Sequence, residues 1–368
     1  MQSLYVHFPF CESKCHYCDF YSLGKEKTRE SDPQRFELAL QKEASQQAHL
    51  LDESLDTIFF GGGTPSMTPP ESMARALEPL NLSKRLTAST EWTMEANPSS
   101  IVFEALKGYR ALGVNRISMG VQAMRSDFLK ALGRVHTKEA VPEALSTVFR
   151  AGFENVSVDL LCGVPGQTEQ DLSEALEILT QFPISHLSCY LLTLPKQNPM
   201  SRSLPDDETQ LNHLLWVHDW LTSRGFDHYE ISNFAKPGKK ARHNLNYWHG
   251  NSYLGLGPSA HSFDAQNSLR WKNVSSLHRY AALLEKGETV IEGQESLGTK
   301  EKQLEKWMLA LRLDTGFPID WLETDFQKAR VDLFEKQKLI EAHPFDPNRK
   351  RLTARGFALS DQIIQALA

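Results

Sequence analysis

The chain has 368 residues, 40% of them hydrophobic and 23% charged, which is ordinary globular usage and excludes a disordered or fibrous polymer. Its 46 acidic and 40 basic side chains leave a formal charge of −6, which offers no electrostatic footprint for nucleic acid. No run of about 18 apolar residues suits a membrane-spanning helix, and five cysteines, an odd number, do not make a disulfide framework. The first ten residues carry no basic stretch ahead of an apolar one, so no secretory leader is expected, and the reducing cytosol is the expected compartment.

Leu4-Tyr5-Val6-His7-Phe8 alternates like a strand and leads into a loop with cysteines at 11, 15 and 18. Residues 33–51 read as an amphipathic helix, 55–60 as a second strand and 71–80 as a helix. A third strand is expected over 91–95, then a helix ending at Gly113, a fourth strand over 116–120 and a helix over 138–151. The fifth strand begins at Asn155, helix 169–181 follows, and the sixth strand covers 186–192. Strand–helix repeats in succession imply a parallel sheet with helices outside, curled as a full or partial barrel, which helix 206–224 closes. Cys162 and Cys189 lie in apolar strand-like runs and read as buried inert thiols. Residues 227–273 are rich in aromatics, glycine and asparagine without helical period. From about 299 the chain turns helical again, with Leu304, Trp307, Met308 and Leu311 on one face, then a helix with a two-stranded wing and a last helix over 357–367. The expected domains are a barrel over 1–225, an aromatic and glycine-rich extension over 226–298, and a small winged-helix-like domain over 299–368.

The cysteine loop is Cys11-Glu-Ser-Lys-Cys15-His-Tyr-Cys18-Asp-Phe20. Three clustered thiolates can hold three irons of a four-iron cluster and leave the fourth open. A closed zinc site wants four protein ligands, and on the residues alone it stays open, completed by His16 or His7.

In a parallel barrel the active site forms at the C-terminal ends of the strands. After the second strand comes Gly61-Gly62-Gly63-Thr64-Pro65, where glycines let the backbone approach a ligand. Glu95 closes the third strand, Gly120-Val-Gln122 the fourth with Arg134 in the loop beyond, and Asp159 lies on the fifth. Each alone reads as a solvated charge or a cap. Together they put a polar group at strand end after strand end.

With its cysteine loop, Gly-Gly-Gly-Thr-Pro run and Gly120-Val-Gln122, the chain resembles the radical S-adenosylmethionine (radical SAM) superfamily. It is most similar to the branch that holds oxygen-independent coproporphyrinogen III oxidase and the haem chaperones of the HemW family. That likeness rests on Tyr5-Val-His-Phe-Pro-Phe-Cys11, Gly113-Val-Asn-Arg-Ile-Ser, Gly163-Val-Pro-Gly-Gln-Thr168, Tyr229-Glu-Ile-Ser-Asn-Phe234, His243-Asn-Leu-Asn-Tyr-Trp248 and Tyr253-Leu-Gly-Leu-Gly257. The resemblance implies a partial, TIM-like (β/α)6 radical SAM barrel with a smaller α+β C-terminal domain. It implies a 4Fe–4S cluster on Cys11, Cys15 and Cys18, and SAM bound to the open iron through its amino and carboxylate groups. Electron transfer from the reduced cluster would then cleave the sulfonium and release a 5′-deoxyadenosyl radical. Tyr17 is expected near the adenine, and the backbone of Gly62, Gly63 and Thr64 at the methionine end. Glu95 and Gln122 are expected on polar atoms of SAM, Arg134 on its carboxylate, and Asp159 and Tyr5 in the lining.

The oxidases of this branch carry a further cysteine two residues after the third, where this chain has Phe20, and a longer segment ahead of the cluster. Both departures favour the haem chaperones. So does the His243-to-Trp248 motif, for which the resemblance implies haem binding. Departures occur at Ala241, where many relatives have cysteine, and at Leu194-Pro-Lys-Gln-Asn-Pro199. The implied partners are haem, haem-accepting apo-proteins and an electron donor, with membrane contact only peripheral. The alternative is radical oxidative decarboxylation of coproporphyrinogen III.

Overall fold

The computed structural model describes residues 1–368. Six strand–helix repeats follow one another in chain order. The strands are β1 (Ser3–Phe8), β2 (Thr57–Gly62), β3 (Glu91–Ala96), β4 (Arg116–Gln122), β5 (Asn155–Cys162) and β6 (His186–Leu191). The main helices are α1 (Asp32–Gln47), α2 (Pro70–Leu77), α3 (Phe103–Leu112), α4 (Ser126–Ala131), α5 (Ala140–Arg150), α6 (Glu169–Leu179) and α7 (Asp207–Thr222). The chain divides into two compact units that do not follow chain order. The first comprises residues 1–160, 173–185 and 251–296, the second residues 161–172, 186–250 and 297–368.

In the first unit β1 to β5 pair in parallel in chain order, and Leu254–Leu256 adds a parallel strand on the free side of β1. Leu4, Val6, Ile58, Phe60, Met94, Ile117, Met119, Val156 and Val158 are all fully buried and, in register at alternate positions, share one face of the sheet. The helices bury one stripe each: α5 turns Val141, Ala144, Leu145 and Val148 inward at helical spacing. Segment 251–296 is fastened to α1 by a buried carboxylate. Glu43 accepts hydrogen bonds from Gly257 N–H at 2.7 Å, from Asn273 Nδ2 and from the Tyr280 hydroxyl. Burial raises its pKa to about 7 despite those three donors.

In the second unit Asn233–Ala235 pairs antiparallel with β6 and with Asp227–Glu230. Its C-terminal part is α+β. Helices Thr299–Ala310, Asp325–Lys336 and Ser360–Leu367 pack with short antiparallel strands around Trp307, Phe317, Val331, Ile340, Leu352 and Ile363.

Several expectations are corrected here. Leu304 is half exposed and stands off the face that buries Trp307 and Leu311. The stretch read as lacking helical period contains Arg242–Trp248, a helix too short for a two-turn amphipathic stripe to show. It also holds the edge strand Leu254–Leu256, which contains Gly255. A Cβ there would run into the carbonyl of His261, so close packing of two backbones dictates that glycine. Cys162 and Cys189 are buried, as expected, with their sulfurs 2.8 Å apart.

Candidate functional site

β1 delivers the cysteine loop, and three sets of backbone bonds fix its course. Phe10–Cys11 pairs with Leu23–Gly24 at the base, Cys18 N–H donates to Cys15 O at 3.2 Å, and His16 N–H donates to Leu132 O at 3.1 Å. All three thiols are free and half-buried. Burial pushes the pKa of Cys11 and of Cys18 up, so without a positive partner they favour the thiol over the thiolate.

The ends of β2, β3 and β4 answer with a continuous arc of hydrogen bonds. Thr64 Oγ1 lies 3.7 Å from Cys11 Sγ and accepts from Asn97 Nδ2 at 2.9 Å. Asn97 Oδ1 in turn accepts from Arg134 at 2.6 Å, and the same guanidinium nitrogen donates to Gly120 O at 2.6 Å. The other terminal nitrogen of Arg134 reaches Cys15 Sγ at 3.5 Å. Its Nε is buried with no partner. An orphaned donor of that kind costs about 1–3 kcal/mol, which marks the place of an acceptor such as a carboxylate.

The glycine run wraps the end of β1. A Cβ on Gly63 would sit 2.5 Å from Phe10 O and 2.8 Å from Phe8 O, and Gly62 has a φ of +104° beside the His7 ring. No other residue type fits at Gly63 without moving backbone. The run's N–H groups are committed within the fold. Gly62 donates to Glu95 Oε2 at 3.1 Å, Gly63 to Phe8 O and Thr64 to Phe10 O, each of the latter at 2.7 Å. What remains for a ligand is carbonyl oxygen, which suits an ammonium better than a carboxylate.

Glu95 is half-buried at the end of β3. Burial, and then the neighbouring Asp159, raises its pKa to about 8, so it holds a proton at neutral pH and can donate as well as accept. Asp159 accepts from the Ser118 hydroxyl at 3.3 Å. His7 Nε2 donates to Tyr21 O at 2.8 Å, which leaves Nδ1 to accept from the Tyr5 hydroxyl at 3.0 Å. The ring is neutral because burial lowers its pKa to about 4. Burial likewise raises Tyr17, which lies beside Cys15 and Arg134. Gln122 has a φ of +70°, a left-handed conformation for a non-glycine residue at a strand end.

Cys11, Cys15, Cys18, Tyr5, Tyr17, Gly62, Gly63, Thr64, Glu95, Gln122, Arg134 and Asp159 therefore all lie in the first unit, most of them linked by direct contacts. His243 and Trp248 belong to the second. His243 is buried and its Nε2 lies 2.7 Å from the Tyr247 hydroxyl. Trp248 packs under the Arg312 guanidinium and bonds to Glu230. Of the residues suggested as a fourth zinc ligand, His7 has both ring nitrogens committed, and His16 has its Nδ1 3.0 Å from Ala131 O. No trio of His, Cys, Asp or Glu side chains converges as on one metal ion. A four-iron cluster spreads its ligands wider than the ~2.3 Å metal–sulfur bonds of a single zinc ion allow. Three thiols, a cation beside them and an orphaned buried donor fit the cluster and a carboxylate-bearing ligand.

Sequence reasoning missed Asn97 as part of this site and offered His7 only as a zinc ligand. Asn97 precedes Pro98 and caps the turn through Ser100, so its turn chemistry masked its second task. His7 alternates out of a strand, and nothing in the sequence says its ring holds Tyr5.

Residues 5–179 match the model of the Radical SAM superfamily. The chain is 32% identical to the heme chaperone HemW of Mycobacterium tuberculosis over 99% of its own length and 94% of that protein. It is 36% identical to the heme chaperone HemW of Bacillus subtilis over 86% of this chain and 84% of that one. In structure it is similar to coproporphyrinogen III oxidase (HemN) from Escherichia coli, with a TM-score of 0.83 at 22% identity, covering 99% of this chain and 89% of the other.

Proposed function

Because this chain belongs to the HemW family of the radical SAM superfamily, we propose that it is a haem chaperone, binding haem and passing it to acceptor apo-proteins. The observation that supports this most is the likeness to curated haem chaperones over almost the whole chain, both units included. In this reading Cys11, Cys15 and Cys18 hold a 4Fe–4S cluster, and SAM occupies the open iron. When bound and reduced, the cluster supplies an electron to the sulfonium of SAM. An electron donor is the partner this requires. The chain acts in the cytoplasm, with at most peripheral membrane contact. No helix is long and apolar enough to cross a membrane.

The chain's own residues divide the work. Arg134 faces Cys15 with one nitrogen and keeps its buried Nε for the SAM carboxylate, while Asn97 holds that guanidinium in place. The carbonyls of Gly62 and Gly63 receive the ammonium. Glu95, protonated, serves a ribose hydroxyl, with Gln122 and Asp159 on the remaining polar atoms. Tyr17 covers the adenine and Tyr5, steadied by His7, closes the lining. For haem, His243 and Trp248 remain candidates through the motif. Haem ligation by His243 requires its ring to give up Tyr247 first.

Oxidative decarboxylation is the competing activity, and Phe20, two-thirds exposed, stands where that branch's oxidases have a further cysteine. Anaerobically reconstituted protein is incubated with coproporphyrinogen III, SAM and a reductant, and in parallel with ferric haem. Haem uptake without protoporphyrinogen is the expected outcome. Accumulating protoporphyrinogen contradicts it.

A further inference from the structure

Cys162 and Cys189, the two cysteines outside the cluster loop, have no part in the roles above. Both belong to the second unit, Cys162 at the end of β5 and Cys189 within β6, and both are free and buried. Their sulfurs lie 2.8 Å apart. Non-bonded heavy atoms rest at about 3.5–4.0 Å, and a disulfide closes at about 2.05 Å. The fold has carried this pair past ordinary contact and toward a bond.

The pair is also within reach of a small molecule. A cavity of about 420 Å³ in the same unit has Cys189 in its wall. Tyr190 and Asp361 belong to that wall too and are exposed, so the cavity opens to water. Register puts the Cys189 side chain on the cavity's face of the sheet. Phe234 stands opposite Leu187 on one side and opposite His228 on the other, and both Phe234 and His228 line the cavity. Leu187 and Cys189, two residues apart on β6, share that face. Leu191, Leu214, Val217 and Phe357 make much of the wall apolar, which admits a small neutral molecule.

The two sulfurs are not equivalent. The hydrogen bond to Cys189, and then burial, holds the Cys162 thiol well above its ordinary pKa, so Cys162 keeps its proton and donates it. Cys189 is the acceptor, and it is the one set in the cavity wall.

We propose that Cys162 and Cys189 form a reversible disulfide, with hydrogen peroxide as the oxidant and Cys189 as the sulfur that meets it first. The Cys189 sulfur attacks one peroxide oxygen and the O–O bond breaks. The thiol proton leaves with the departing oxygen, giving a sulfenic acid at Cys189 and one water. The Cys162 sulfur then attacks Cys189 Sγ, its proton leaves with the sulfenic hydroxyl as a second water, and the S–S bond forms. Two thiols give up two electrons and two protons, and one peroxide becomes two waters. The sulfurs need only close from 2.8 Å to about 2.05 Å. The crosslink ties positions 27 residues apart, which restricts the unfolded chain and stabilises the oxidised form. Nothing in these steps requires haem or the cluster.

The full chain is treated anaerobically with a slight excess of hydrogen peroxide, capped with N-ethylmaleimide in denaturant and cleaved after glutamate. Glu169, Glu174 and Glu177 lie between the two cysteines, so cleavage leaves them on separate peptides that only a disulfide joins. The expected product is a linked Cys162–Cys189 pair that disappears with dithiothreitol, together with a higher Tm for the oxidised chain. In Cys162→Ser the second thiol is gone, and Cys189 is expected to stop as a sulfenic acid that dimedone traps. In Cys189→Ser, Cys162 is expected to remain a free thiol. The reverse pattern overturns the order of attack. Recovery of both wild-type cysteines as maleimide adducts overturns the disulfide itself, as does linkage of either one to Cys11, Cys15 or Cys18. The wild-type map decides this even where a serine variant fails to fold.

Discussion

The mouth of the parallel sheet and the cavity of the second unit both gather thiols, but they surround them differently. At the mouth a chain of hydrogen bonds runs from Cys15 through Arg134, Asn97 and Thr64 to Cys11, and Arg134 Nε is left over beside it. At the cavity Cys162 and Cys189 pair with each other, and no lysine or arginine stands in the wall. The first is a polar frame built in advance around anionic ligands, which pre-organised charge favours. The second offers no cation to hold a thiolate, and its two sulfurs are matched to each other.

The largest effect is expected at the thiols. Cys15→Ser should abolish the iron–sulfur absorbance and the labile iron after anaerobic reconstitution. Because the side chain is half-buried, the cluster-free chain should lose no more than about 1 kcal/mol of stability. A fully loaded cluster in this variant breaks the comparison at its first member. Gly63→Ala comes next. Its methyl must displace the Phe8 and Phe10 carbonyls, at a cost of about 1–3 kcal/mol seen as a lower Tm. SAM affinity by calorimetry should fall more than tenfold.

Asn97→Ala sharpens the role of the arc. It leaves Arg134 with one partner fewer and Thr64 without its donor. A loss of about 1–3 kcal/mol in SAM binding, roughly fivefold to 150-fold, is expected, with the cluster still assembled. Unchanged SAM affinity removes Asn97 from the site.

The smallest effect is a pH slope. Glu95 is protonated up to about pH 8 in the fold and Glu43 up to about 7. Both ionise near 4.5 when unfolded, so the folded state binds more protons in that window and stability falls as pH rises through it. His7 and His136, lowered to about 4 by burial, act oppositely and only below about 6.5, where stability is lost as pH falls. Toward pH 8, once histidine is neutral in the unfolded chain as well, the raised carboxyls dominate. Wild-type stability in urea should decline there by at most about 1.4 kcal/mol per pH unit for each proton, and Glu95→Gln should flatten the decline.

The strand–helix rhythm was legible because buried parallel strands read as apolar runs and their helices as amphipathic stripes. The cysteine loop and glycine run were legible because their chemistry depends on local spacing. What the sequence concealed is long-range. Asn97 reads as a turn cap until Arg134, 37 residues away, is seen beside it. Cys162 and Cys189 are 27 residues apart on two strands, and only the fold puts their sulfurs 2.8 Å from each other. His243, conspicuous in its motif, is committed to Tyr247, a contact one helical turn away that no composition reveals. Leu254–Leu256 joins β1 across 250 residues, a pairing that local pattern does not encode.

The most direct test of the chaperone reading is handover. Haem-loaded protein is mixed with an excess of an apo-haem protein whose Soret band is distinct, and the two bands are followed in time. Loss of the donor band with matching growth of the acceptor band, faster than from free haem, is the predicted result. Haem that stays with the chain, or reaches the acceptor no faster than free haem does, contradicts it.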